Sequence, residues 1–414
     1  MQPAQHPRDF ARVLAAEGIS NFGSMLSRLA IPWVAALTLQ ATPLQMAALL
    51  VADVVAAALG SLLLGNLVDR TGKRRIMLWA DALRCLLLAL LALAVWQGWG
   101  NWAMLVAAAA LSGLLTVAFE LARSAWVALS VAAVQLPRRN AHLSVAGSVS
   151  EAIAFAVGGW LYQWLGAALA LAVDALSYAA SALALRGVQD VAPAARGNRA
   201  GSRWRALGED TLAGLRAIVS HPSLRALAGI EALIAFSGSL TGTSIMIFVV
   251  RDLTLPTGLL GMIFATGALG AIVGAFLAPG LGRRVGPGRA MTFGLVAFAL
   301  GAVCVPLAAV GGSVAVALLI AHQVVGDGGH TLHDVHDRSL RQTAVTPALM
   351  ARVDAGIRSV GYFATLAGAG VGGLLGNAHG ARSVLVLAAA SSALATLLAA
   401  WTLGRRAAHL AAAP

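Results

Sequence analysis

The chain reads as long apolar runs separated by short polar punctuation. Each run holds about 20 mostly apolar residues, the length at which a helix crosses the hydrocarbon core of a bilayer. Breaking the runs at polar, charged or Gly/Pro-rich positions places twelve helical spans. The first six cover residues 13–39, 44–66, 76–96, 102–122, 142–164 and 168–186. The second six cover residues 224–250, 257–281, 289–310, 313–332, 354–375 and 382–403. These runs are continuously apolar and rich in Ala and Leu, whereas a membrane β-barrel alternates lipid-facing and lumen-facing residues. The pattern predicts an all-α integral membrane protein with twelve transmembrane helices.

Composition agrees, with 59% hydrophobic and only 11% charged residues among 414. A soluble domain carries about 25% charged residues. The net charge of +12 would suggest nucleic acid on a soluble protein; here the distribution of the charge points elsewhere. Of the 29 Lys and Arg residues, 24 fall on one side of the twelve spans. Arg251 and Arg382 fall on the other, and Arg28, Arg84 and Arg358 lie within spans. Basic residues concentrate in cytoplasmic loops, so both termini are expected to be cytoplasmic, in a multi-pass protein of the cell inner (plasma) membrane, with no nucleic-acid partner. Trp96, Trp99 and Trp102 flank an external turn, as in an interfacial aromatic belt. Cys85 and Cys304 sit in apolar runs and read as small buried hydrophobes rather than a disulfide. The polar start, MQPAQHPRDFAR, and the long run after it predict no cleavable signal peptide.

The two halves repeat. RRNAHLSVAGSVSEAIAFAVGGWL from Arg138 lies over RVDAGIRSVGYFATLAGAGVGGLL from Arg352 at an offset of 214. Ala141 meets Ala355, Gly147 meets Gly361, and Val157, Gly158 and Gly159 meet Val371, Gly372 and Gly373. The same offset carries Gly72 onto Gly286. This predicts an N-terminal six-helix bundle (residues 1–186), a cytoplasmic linker (187–222) and a C-terminal six-helix bundle (223–414). In the linker, VAPAARGNRAGSRW reads as flexible and RALGEDTLAGLRAIVSHP as a short amphipathic helix. Duplicated bundles around a midplane site are a transporter architecture. Neither a catalytic constellation nor a GxxxxGK[ST] phosphate loop is found, so no enzyme activity, cofactor, resident metal or ATP drive is expected.

The turn GNLVDRTGKRRIM follows the second span. Its cations anchor topology, but that does not explain Gly65, Asp69 and Gly72. Gly65 would let another helix approach closely, Gly72 would supply a backbone conformation other residues resist, and Asp69 would accept at a helix end or meet a cation.

Twelve helices with this turn after the second resemble the major facilitator superfamily, whose turn reads roughly G-x-L-a-D-r-x-G-r-k. Gly65, Leu67, Asp69, Arg70, Gly72, Lys73 and Arg74 fit it; in the second copy Pro279 and Arg283 replace the Gly and Asp. WADALR, FELARSA, VDALSYAASAL and SLRQTAVTPALMARVDAGIRSV are similar to the siderophore (enterobactin)-exporter and macrolide-efflux branch. The resemblance implies the major facilitator fold and a monomer that exports small molecules against protons. It further implies a cytoplasmic latch of Asp69, Lys73 and Glu120, and it makes Asp81, Arg84 and Asp174 structural. One stretch departs: where the family's antiporters carry G-x-x-x-G-P-x-x-G-G in the fifth span, Ser150, Ala154 and Phe155 replace the first Gly and the Gly-Pro.

Ionisable residues inside spans cost about 2.5–3.5 kcal/mol each on insertion scales and are usually functional. Arg28 and Asp53 lie at similar depth in neighbouring spans, as an ion pair or a shared cavity site, with Asp53 the first candidate proton carrier. Glu151 and Glu231 are further candidates to line the cavity or carry a proton. In GDGGHTLHDVHD, containing Asp327, His330, His333 and Asp334, His330 with Asp334 or His333 with Asp337 are i,i+4 pairs. Such pairs suit a metal, a gate or a proton. The leading expectation is a proton-coupled exporter of small amphipathic molecules (siderophore or drug), working by alternating access. The alternative is an importer or facilitator of a small metabolite, and a non-transporting receptor or enzyme is the third reading.

Overall fold

The computed structural model describes residues 7–190, 216–344 and 347–410. Most of the expected linker, including its flexible part and most of its amphipathic helix, lies outside the described residues. The described residues are helical: α1 (Pro7–Trp33), α2 (Pro43–Arg70), α3 (Lys73–Trp96), α4 (Trp102–Ser130) and α5 (Leu136–Leu185) precede the linker. After it come α6 (Pro222–Ile247), α7 (Thr257–Val285), α8 (Pro287–Leu307) and α9 (Gly312–Ala321). The last three are α10 (Gly328–Ala344), α11 (Pro347–His379) and α12 (Ala381–Leu410).

Among the described residues, ten helical stretches are long and apolar enough to cross a membrane. Twelve were expected, and the difference has two sources. The polar residues Asp9, Arg12, Glu17, Asn21 and Arg28 dilute α1, which is not one of the ten. The expected fifth and sixth spans lie in one helix, α5, of 50 residues. A straight helix of that length would run ~75 Å, more than twice the ~30 Å hydrocarbon core. Gly166, at φ 76° and ψ 176°, breaks it; this left-handed φ is one that glycine reaches without a Cβ clash.

The repeat is written into the backbone. A π-helical turn, Val34–Thr38, ends α1, and a second, Phe248–Asp252, ends α6, 214 residues later. Gln40 and Thr254, the two non-glycine residues at positive φ among the described residues, share φ 52° and the same offset. Gly98 pairs likewise with Gly312, and Gly166 with Gly380, all at positive φ.

Contacts divide the chain into two units, each with its own packing. The first holds residues 1–41, 48–196 and 255–265. In it α1 and α3 pack on α5, and α3 packs on α4. Apolar side chains of these helices, among them Met77, Ala122, Trp126 and Leu185, bury one another near the charged helix ends. The second holds residues 42–47, 197–254 and 266–414. There α6 packs on α11 and α12, and α8 packs on α10 and α12, around Ile230, Met291, Leu295 and Ala395. Cys85 and Cys304 are free thiols.

Candidate functional site

The turn between α2 and α3 binds a segment far along the chain. The Arg74 Nε donates to Leu185 O at 2.9 Å, and its Nη2 donates to Arg186 O. These are last-turn carbonyls of α5, where a cation also opposes the negative end of the helix dipole. Arg74 N donates to Asp190 Oδ1 at 3.0 Å, and Arg75 Nε lies 3.9 Å from Asp190 Oδ2. From the other side Arg12 Nη1 donates to Gly187 O at 2.5 Å, Trp126 Nε1 to Gln189 O at 3.1 Å, and Gln189 N to Asp9 Oδ2 at 3.1 Å. The cations expected to anchor topology thus also clamp residues 185–190.

One expectation for this turn is corrected. Gly72 has φ −58°, which any residue adopts. The glycine instead leaves room for a neighbour: a Cβ there would lie 2.0 Å from Asp190 Oδ2, so a larger residue requires that carboxylate to move. Its repeat mate Gly286 does hold φ 83°. Lys73 is buried, and its ammonium donates to Val68 O at 2.6 Å and Thr71 O at 3.1 Å, closing its own turn. Glu120 is exposed. Arg70 is also exposed, and the side chains of Gly65 and Asp69 lie outside the described residues.

Deeper in the first unit, Arg84 and Asp81 are 1% and 0% exposed and 2.5 Å apart. A charge at this depth is tolerable only if its hydrogen-bonding capacity is filled, and the surroundings fill it. Arg84 donates to Ser20 Oγ at 3.0 Å and to Ser24 Oγ and Thr116 Oγ1 at 3.3 Å. Its guanidinium carbon stands 4.4 Å from the Tyr178 ring centroid and 5.2 Å from that of Phe119. Asp81 accepts from Ser20 at 3.2 Å and from Ser181 at 2.6 Å. Asp174, also fully buried, accepts from Ser27. These contacts fill the Arg84–Asp81 pair, whereas Asp174 Oδ1 is buried without a hydrogen-bond partner.

Asp53 is half-buried on α2, and a Cβ at Gly113 of α4 would lie 2.5 Å from its Oδ1. The positive charge of Arg28, exposed on α1, acts on Asp53 without a direct salt bridge. Glu151 is exposed on α5. One site was missed by sequence reasoning. Arg123 Nε of α4 lies 2.9 Å from Glu17 Oε2 of α1, their side chains 18% and 14% exposed. Both border a cavity of about 500 Å³ between α1, α4 and the start of α5.

In the second unit Glu231 of α6 is half-buried, its Oε1 3.3 Å from where a Gly361 Cβ would stand, and Asp337, Arg341 and Asp334 act on it. The acids of the histidine-rich helix face Arg rather than His. Asp334 pairs with Arg338 at 2.6 Å, and Asp337 with Arg341, each one turn later. Arg341 also reaches Asp354 of α11 at 3.0 Å. The histidines go elsewhere: the His336 ring nitrogen bonds Ala278 O at 3.0 Å, and the buried His333 ring lies tilted 6.3 Å from that of His330, itself 5.6 Å from Phe298. Asp327 lies in the π-helical segment His322–Asp327, its Oδ2 2.1 Å from where a Gly267 Cβ would stand. The repeat carried a signal for the missed site, because the offset of 214 takes Glu17 onto Glu231 and Asn140 onto Asp354.

The fold is thus duplicated and all-helical, with ten stretches among the described residues long and apolar enough to cross a membrane and with charged groups held inside its bundles. The Major Facilitator Superfamily model matches residues 13–331, and the chain belongs to that family. It is 27% identical over 266 residues to an uncharacterized MFS-type transporter, y4rN, of Sinorhizobium fredii (strain NBRC 101917 / NGR234). That match covers 63% of this chain and spans 62% of the relative's length. A bacterial homologue of the iron transporter ferroportin in its inward-facing state shares the fold, with a TM-score of 0.73 and 16% identity, covering 96% of this chain and 99% of that one. The nucleoside transporter NupG does likewise, with a TM-score of 0.72 and 15% identity, covering 95% of this chain and 98% of that one.

Proposed function

We propose that the chain is a proton-coupled exporter of small amphipathic molecules, of the siderophore and drug class, working by alternating access. In this reading it crosses the cell inner membrane twelve times, as six plus six, with both termini cytoplasmic. The observation that carries it is Asp53: a carboxyl group in an apolar helix, set against the backbone of Gly113 and within the field of Arg28. A carboxyl group at such depth is costly unless it has work to do, and proton exchange is work it is suited to.

Import is the second reading, and a specific observation favours it. Where antiporters of the resembled family carry Gly and Gly-Pro in the fifth span, Ser150 donates to Gly18 O at 2.7 Å and Ala154 is fully buried, so α5 continues without a bend there.

The test is proton movement in energised inside-out vesicles across a panel of siderophores and hydrophobic drugs. Substrate-dependent proton release that disappears in Asp53→Asn supports coupled export through this carboxyl group. Release that persists in the mutant moves the carrier to Glu151, Glu231 or the histidine-rich helix. Uptake under the reversed gradient, with no release, establishes import.

A further inference from the structure

The cavity between α1, α4 and α5 has the size of a small-molecule site, which typically spans about 300–1,000 Å³, and its volume is about 500 Å³. One side presents Glu17, Arg123, Asn140 and Ser144; Leu136 and Leu143 form apolar wall. Within the polar side, the buried atom that lacks a hydrogen-bond partner is a donor, Arg123 Nε. It lies close to Glu17 Oε2 but is not directed at it, so the pair is held by charge without the bidentate geometry a guanidinium favours. A guanidinium offers five donors, and one carboxylate fills at most two. Arg123 thus has one carboxylate, Glu17, whereas Arg341 of the second unit has two, Asp337 and Asp354, although its Nε is likewise buried without a directed hydrogen bond.

The repeat indicates what the acceptor is. In the second unit Arg341, one turn beyond the repeat mate of Arg123, bonds the carboxylate of Asp354 at 3.0 Å. The repeat mate of Asp354 is Asn140, which lines the first unit's cavity. The first unit thus has a neutral amide where the second has a carboxylate.

We propose that this cavity binds a small amphipathic carboxylate, or a similar monoanion, through Arg123. Its apolar part lies on Leu136 and Leu143, and Glu17 is the internal carboxylate it displaces from the guanidinium. The charges acting on Glu17 are Arg123 and Glu120 of α4 and Arg84 and Asp81 of α3, and the cavity lining from α5 is uncharged. The proposal rests on the transport reading and narrows its substrate class from amphipathic to amphipathic and anionic.

The test is equilibrium dialysis of the full-length chain in phosphatidylcholine nanodiscs against three probes of one shape: naphthoate, naphthylmethylammonium and naphthalenemethanol. Naphthoate is expected to be retained about tenfold better than the other two, the weight of one hydrogen bond to a charged group. Glu17→Gln, which removes the internal competitor, is expected to strengthen naphthoate retention, and Arg123→Gln to abolish it. Because Arg123→Gln strands Glu17, the double variant Glu17→Gln/Arg123→Gln serves as the folded control and is expected to retain no naphthoate. Preference for the ammonium probe, with Glu17→Gln abolishing binding, overturns the proposal. So does equal retention of all three, or wild-type naphthoate binding by the double variant. Loss of naphthoate in phosphatidylglycerol discs assigns the anion site to a lipid headgroup and overturns the small-molecule reading. Proton release in vesicles is scored separately through Asp53→Asn, so loss of coupled transport and loss of this site are distinguishable.

Discussion

Gly159 of α5 and Gly261 of α7 meet backbone to backbone, for a Cβ on Gly159 would sit 3.0 Å from the Gly261 Cα and 2.3 Å from Thr257 O. Both glycines belong to the first unit, and the offset of 214 repeats the arrangement in the second. There Gly373 lies against Leu44 and Ala47, a Cβ on it 3.1 Å from the Leu44 Cα. Small residues let helices approach this closely in a membrane, where packing rather than hydrophobic burial holds them together. Gly159→Leu is expected to lower the melting temperature of the purified protein sharply and to abolish transport. Gly370→Ala, at a glycine whose Cβ would meet nothing within 4 Å, is the matched control and is expected to be silent. Equal stability of the two variants in a thermal size-exclusion assay would show that the backbone contact is unimportant.

Two glycines at repeat-related turns fail for different reasons when changed. Gly72→Ala drives a methyl group into the Asp190 carboxylate, which loosens the hold of Arg74 and Arg75 on the end of α5. Removing the obstacle with Asp190→Ala is expected to make Gly72→Ala nearly neutral, so the two changes are strongly non-additive in a double-mutant cycle. Gly286→Ala meets no neighbour but must adopt φ 83°. Its cost is backbone strain of about 1–3 kcal/mol, which no second substitution relieves. Additive behaviour of Gly72→Ala with Asp190→Ala would refute the steric account.

Much of this fold was legible because the bilayer imposes one simple rule, a run of apolar residues for each crossing. The offset of 214 was legible too, and it locates unusual backbone as well as conserved letters, as Gln40 and Thr254 show. What was not legible is pairing. Lys73 fits a latch on paper, and nothing in the letters shows that its ammonium also donates to the carbonyls of its own turn, Val68 O and Thr71 O. Asp337 stands at i,i+4 from both His333 and Arg341, and only the packed structure decides for Arg341. Asp190 lies beyond the sixth apolar span, where hydropathy carries no information.

The pair of Arg84 and Asp81 is expected to hold the first unit together rather than to turn over with substrate. Breaking a buried pair by removing one partner typically costs about 3–5 kcal/mol, so Arg84→Leu is expected to abolish accumulation of folded protein. Arg84→Leu with Asp81→Leu leaves no unmatched charge and is expected to recover much of that loss, with near-normal substrate-dependent proton release from the folded fraction. Folded double variant without transport would place the pair in the mechanism.

Asn140 is the position at which the two halves differ most usefully. Asn140→Asp gives the first unit the acid that the second already has in Asp354, in the cavity that Arg123 also lines. An added carboxylate within reach of Arg123 competes with any anion from outside, so naphthoate retention is expected to fall about tenfold while stability holds or rises. Asn140→Ala removes a neutral contact without adding a competitor and is expected to weaken retention far less. The reciprocal change, Asp354→Asn, takes from Arg341 the carboxylate on α11 and leaves it Asp337 of its own helix. It is expected to open the second unit to the same probe, which wild-type protein binds at one site. Dialysis stoichiometry reads this directly: two naphthoates per Asp354→Asn chain support repeat-related anion sites, and one shows that only the first unit's cavity is built to take an anion.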